Sequence, residues 1–114
     1  MHFELQGIFV QEYPSKFRGD LIEFRGHFTS EDGQFFCGEV RDEFGRAEIY
    51  GQLCENSLTF TKWYCEFYPP SLGSVFYIIQ YELSNTGKQF DGGFILGNGR
   101  NSRGKSWCTV KALE

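Results

Sequence analysis

Apolar and polar residues alternate with a period of two along most of this chain. Between residues 3 and 11, Phe3, Leu5, Gly7 and Phe9 fall on one face and Glu4, Gln6 and Ile8 on the other. Residues 20–30 repeat the pattern, with Ile22, Phe24, Gly26 and Phe28 opposed to Glu23, Arg25 and His27. Such alternation marks a strand buried on one side. Apolar residues nowhere recur at helical spacing over three turns, so no helix is predicted.

The turns divide the chain into hairpins whose registers can be written down. The stretch Phe35 to Tyr64 holds two of them. A turn at Asp42-Glu43-Phe44-Gly45 sets Val40 opposite Ala47, Gly38 opposite Ile49 and Phe36 opposite Gly51. A turn at Glu55-Asn56 sets Leu53 opposite Leu58, Gly51 opposite Phe60, Ile49 opposite Lys62 and Ala47 opposite Tyr64. One face then nests small residues against large ones. A slip of one residue would turn every side chain over, so this face fixes the register. Glu31-Asp32-Gly33 reads as a three-residue loop pairing Phe28 with Phe36 and Gly26 with Gly38. Strand five runs over 57–67 and is ended by Pro69-Pro70. Strand six runs over 75–83. A turn at Ser84-Asn85-Thr86-Gly87 then pairs Tyr81 with Phe90, Ile79 with Gly92 and Tyr77 with Phe94. A glycine-rich loop from Gly97 to Gly104 leads to a last strand at 105–113.

Eight strands with short connections give a strand content of about 60–65%, high for an ordinary domain but natural for a closed barrel. A repeated element supports closure. The pattern apolar-x-Gly-x-apolar occurs at Leu5-Gly7-Phe9, Phe24-Gly26-Phe28, Phe36-Gly38-Val40, Ile49-Gly51-Leu53 and Phe90-Gly92-Phe94. Glycine in a strand costs roughly 0.5–1 kcal/mol relative to alanine. Its recurrence on one face implies that strands coil tightly there or make room for rings across the pair. The predicted fold is all-β: a single domain, 1–114, in which an eight-stranded antiparallel meander closes into a small β-barrel. A β-sandwich is the alternative. The meander and the steps Gly7-Ile8-Phe9, Gly26-His27-Phe28 and Gly92-Gly93-Phe94 resemble the calycin type of barrel, the avidin and lipocalin families. That resemblance implies a barrel able to hold a small ligand. The first strand carries Gly7-x-Phe9 where those families commonly have Gly-x-Trp, so no biotin-binding residue is carried over.

Composition narrows the partners. Fourteen glycines and thirteen phenylalanines in 114 residues are a β composition, and the net charge of -4 gives no general attraction to nucleic acid or an acidic membrane. No apolar run is long enough for a transmembrane helix. The first residues carry glutamates where a signal peptide needs a basic start, so a cytoplasmic protein is expected. Cys37, Cys54, Cys65 and Cys108 lie opposite one another in neither central hairpin, and no CxxC occurs. Free thiols are expected, with no metal site and no cofactor.

Candidate chemistry is sparse. Gly99 to Ser106 spells GxxxxGKS, but a phosphate-binding loop needs a helix after it, and Trp107 to Val110 suits a strand. Arg100, Arg103 and Lys105 read as a solvated basic loop. Of the two histidines, His2 is near the start and His27 faces outward, so no catalytic set is formed and no enzyme is expected. Lys62 and Tyr64 share the inward face of strand five, with Tyr77 and Tyr81 inward on strand six. A lysine inside a barrel is costly unless paired or wet. These four residues are the candidate lining of a pocket for a small apolar or anionic ligand. Alternatively Lys62 lies near an open end and reaches water. Trp63, Phe67, Phe76 and Ile78 then face outward as a candidate interface, with a homodimer as one outcome. The expected function is a non-enzymatic small-molecule binding protein. The alternative is a plugged barrel acting as a protein-interaction module.

Overall fold

The alternation builds a closed barrel. The computed structural model describes residues 1–13, 20–67, 78–96 and 103–113. Its strands are β1 (His2–Tyr13), β2 (Ile22–Thr29), β3 (Phe35–Asp42), β4 (Gly45–Leu53), β5 (Ser57–Phe67), β6 (Ile78–Asn85), β7 (Phe90–Leu96) and β8 (Arg103–Leu113). Each pairs antiparallel with the next, and β8 returns to β1, so the strand order closes on itself.

The two central registers are those the small-against-large pairing predicts. Val40 lies opposite Ala47, Gly38 opposite Ile49 and Phe36 opposite Gly51. Leu53 faces Leu58, Gly51 faces Phe60, Ile49 faces Lys62 and Ala47 faces Tyr64. Two other registers differ by an even number of residues, which preserves the faces. Phe28 pairs with Gly38 and Gly26 with Val40, not with Phe36 and Gly38. The Asp32 carboxylate widens that loop by accepting from the backbone N–H of Gln34 at 2.8 Å and of Phe35 at 2.9 Å. Tyr81 pairs with Phe94 and Leu83 with Gly92, in place of Tyr81 with Phe90 and Ile79 with Gly92. Here β6 runs on to Asn85, whose backbone N–H and side-chain amide donate to the carbonyls of Asn56 and Glu55. The turn therefore falls at Thr86–Gln89 instead of Ser84–Gly87, closed by Thr86 N–H donating to the Gln89 carbonyl at 2.8 Å.

The repeated glycines serve both anticipated purposes. A Cβ at Gly26, Gly38, Gly51 or Gly92 would strike the backbone of the neighbouring strand. A Cβ at Gly7 would strike the Phe24 ring, which occupies that space instead. Tight coiling thus accounts for four sites and ring accommodation for one.

Aromatic rings fill the barrel. Phe60 stacks on Tyr81 with centroids 4.5 Å apart, and Tyr81 lies 5.3 Å from Phe94. Phe94 meets Phe9 edge-on at 5.7 Å, and Phe28 packs on Phe36 at 4.1 Å. Leu5, Phe24, Val40, Ile49, Leu58 and Leu83 complete a core that is almost wholly inaccessible to water.

Candidate functional site

Register delivers Lys62 and Tyr64 to the interior, as alternation along β5 demands. Lys62 does not reach water. Its side chain is fully buried and its Nζ lies 2.8 Å from Asp42 Oδ2, also fully buried. Asp42 ends β3 two residues after the inward Val40, so the same alternation turns it inward. The Tyr64 hydroxyl donates to the same Asp42 oxygen. The other oxygen, Oδ1, accepts from the Phe44 backbone N–H at 2.8 Å. One carboxylate therefore ties together an ammonium, a phenol and the turn that joins β3 to β4. Gly45 follows at a positive φ of 146°, which lets that turn close. Phe44 is buried and packs 6.4 Å from Phe9 at this end of the barrel.

Rings surround the ammonium. Lys62 Nζ lies 4.6 Å from the Phe9 centroid, 4.8 Å from that of Tyr64 and 5.0 Å from that of Phe24. Their negative faces partly replace the lost hydration. Burial pulls the Lys62 pKa down, and the Asp42 charge and hydrogen bond oppose that. Burial pushes Tyr64 well above the usual phenol range, and Asp42 pushes it further. Tyr81 rises well above that range mainly by burial. The Cys108 thiol, also buried, is pushed up to about 12 by burial. At physiological pH both phenols and the thiol therefore stay protonated. The Tyr81 hydroxyl has no hydrogen-bond partner among the described residues. Ser106, last residue of the GKS triplet, is buried on β8 and donates to the Ile8 carbonyl at 2.9 Å. A strand thus stands where a phosphate-binding helix would be needed.

Three of the four candidate lining residues, Lys62, Tyr64 and Tyr81, come together inside. Tyr77 lies outside the described residues. Alternation and turn residues placed Asp42 only at the start of the turn after β3, but its Oδ2 holds the interior polar cluster. The signal was present in its spacing from Val40.

The outer surface carries a second arrangement. Trp63 and Ile78 are opposite each other across β5 and β6, and both are exposed, Trp63 by 52%. The side chain of Phe67 and all of Phe76 lie outside the described residues. The register adds three residues that the candidate interface lacked. Tyr50 faces Thr61, two residues from Trp63; Phe35 is two residues from Cys37, which faces Tyr50. Ile95 faces Gln80, two residues from Ile78. Phe35, Tyr50, Trp63, Ile78 and Ile95 are all large, apolar and exposed, one on each strand from β3 to β7. Diagonal neighbours in a sheet lie within reach of large side chains, so these five form one bent stripe, which climbs from Phe35 through Tyr50 to Trp63 and Ile78 and turns back at Ile95, level with Tyr50. Beside the stripe is a groove of about 550 Å³, walled by Phe35 and Tyr50, with Gln52, Thr59, Thr61, Gln80 and Glu82 along it. Each outward position was legible from alternation, but the stripe needs the registers of four strand pairs at once.

Comparison with protein-family models, curated proteins and solved structures gives no match, so the functional reading rests on this geometry.

Proposed function

We propose that this protein is a non-enzymatic interaction module, a closed barrel whose interior is structural and whose working surface is the outer face of β3 to β7. One observation carries this reading: the interior polar groups Lys62, Asp42 and Tyr64 bind one another, while five large apolar side chains on consecutive strands stand in water. Monomeric soluble proteins rarely leave contiguous apolar patches of this kind uncovered. At the centre of the stripe, at Tyr50 and Trp63, each strand has a neighbour on both sides, so a partner meets the face through side chains.

A photoreactive benzoylphenylalanine at position 48, opposite Trp63, tests the face in cells that make the protein. Position 27, exposed on β2, is the control. The expected result is a discrete adduct from position 48 and none from position 27. No adduct from position 48 overturns the reading.

The calycin-like resemblance supports a second reading, a small ligand within the barrel beside Lys62, Tyr64, Tyr77 and Tyr81. The buried, unpartnered Tyr81 hydroxyl favours it. Native mass spectrometry of the freshly purified protein separates the two. A surplus of a few hundred daltons per chain moves the function inside; the chain mass or its integer multiple keeps it outside.

A further inference from the structure

Resting on the outer-face reading, we infer that the partner is a second copy of this chain, docked about a two-fold axis with each Trp63 in the other copy's groove. A two-fold contact requires a surface that complements itself, in which a projection and its receptacle lie side by side. This face has both. Trp63 and Ile78 project at one side of Thr61, and the groove walled by Tyr50 and Phe35 opens at the other. An axis through the neighbourhood of Thr61 exchanges them.

The chemistry of projection and receptacle also agrees. A buried indole needs an apolar wall for its ring and an acceptor for its N–H. Tyr50 and Phe35 supply the wall. The hydroxyls of Thr59 and Thr61, the amide oxygens of Gln52 and Gln80 and the carboxylate of Glu82 supply acceptors. Size is adequate too. At their fractional exposures the five stripe residues present roughly 500 Å² of apolar surface. With the groove lining, one protomer's share comes to roughly 600 Å², at the lower end of the range of specific interfaces. Beside Glu66 the charges are already paired within one chain: Arg46 bridges Glu39 at 3.3 Å and Glu66 at 3.5 Å. A second copy therefore need not bury an unpaired ion at that margin.

Sedimentation equilibrium across the micromolar range tests this on the full chain. The wild type is expected to be a dimer that tightens with added salt, because salt screens the repulsion between two chains of charge -4 without weakening apolar contact. Trp63→Glu removes the projection and Thr61→Arg fills the receptacle. Each change enters the two-fold interface twice, and each is expected to weaken dimerisation at least ~100-fold. Mixing the two variants is expected to restore a dimer. In the mixed pair one projection meets an intact groove, and the new carboxylate faces the new guanidinium. Circular dichroism confirms that each variant is folded, with Ile78→Lys substituting for Trp63→Glu if needed.

A wild type that stays monomeric throughout overturns the second-copy partner. If the position-48 crosslinker then yields an adduct of another mass, the outer-face reading survives that failure. A dimer untouched by either variant overturns this face as its contact. Loss in both variants without recovery on mixing overturns the Trp63-in-groove arrangement.

Discussion

The two faces of β5 invert what hydropathy alone would assign. Lys62 and Tyr64 point inward and are sealed; Trp63, between them, points outward and is half exposed. The reason is register. Ile49 and Ala47 on β4 sit opposite Lys62 and Tyr64, and a slip placing Trp63 inside would expose every other core residue of the strand. The inward lysine is then tolerated because Asp42 reaches it from the turn of the preceding hairpin, and because three rings enclose it. The outward tryptophan has no such compensation among the described residues. Polarity inside this barrel is answered internally, whereas apolarity outside it is left facing water.

The strongest way to break the comparison is to leave the lysine unanswered. Asp42→Ala strands a buried ammonium and frees the Tyr64 hydroxyl, and is expected to cost about 3–5 kcal/mol, read as a large fall in Tm. The double variant Asp42→Asn with Lys62→Met should recover most of that loss, since it removes both buried charges together and keeps an acceptor oxygen at position 42. If Asp42→Ala alone is harmless, the pair does not hold the interior.

Alkaline titration probes the same interior less severely. The unfolded Cys108 thiol loses its proton near 9.0, the folded one only near 12. Its contribution is full below pH 9 and is lost as pH rises to 12, by at most about 4 kcal/mol. Tyr64 and Tyr81 act in the same direction above the ordinary phenol pKa of 10.0. Lys62 acts oppositely: its lowered pKa makes stability rise with pH in the window below 10.5. The expected net result is loss on the alkaline side, and Cys108→Ala should make that loss shallower in chemical denaturation at pH 8 and pH 11. An unchanged slope would remove Cys108 from the account.

Smaller effects sharpen the contrast. Tyr81→Phe deletes a buried hydroxyl with no partner among the described residues, so stability should stay level or rise by about 1 kcal/mol. A clear loss would reveal that the hydroxyl is satisfied by a bound guest. Trp63→Ser on the outer face should change monomer stability by no more than about 0.5 kcal/mol, measured at a dilution where the protein is monomeric. A larger loss would make Trp63 part of the fold and not of a docking surface.

The period-two pattern, the punctuating turns and the pairing of glycine or alanine with large residues determined the eight strands, the faces and the two central registers. These are local quantities, each readable within one hairpin of Phe35 to Tyr64. They also determined that Lys62, Tyr64 and Tyr81 point inward. Only the tertiary structure decided how the inward lysine is held. Asp42 is twenty residues from Lys62 in the chain, and its meeting with Lys62 depends on where the β3–β4 turn projects over the barrel end. Side-chain capping by Asp32 and the tether of Asn85 to the neighbouring turn likewise moved two registers that loop length alone misplaces. The outer stripe was decided the same way. Alternation tells which side of its strand each of Phe35, Tyr50, Trp63, Ile78 and Ile95 occupies, but adjacency across five strands is a sum of registers. Each hairpin determines its own pairing; only closure of the whole barrel aligns them.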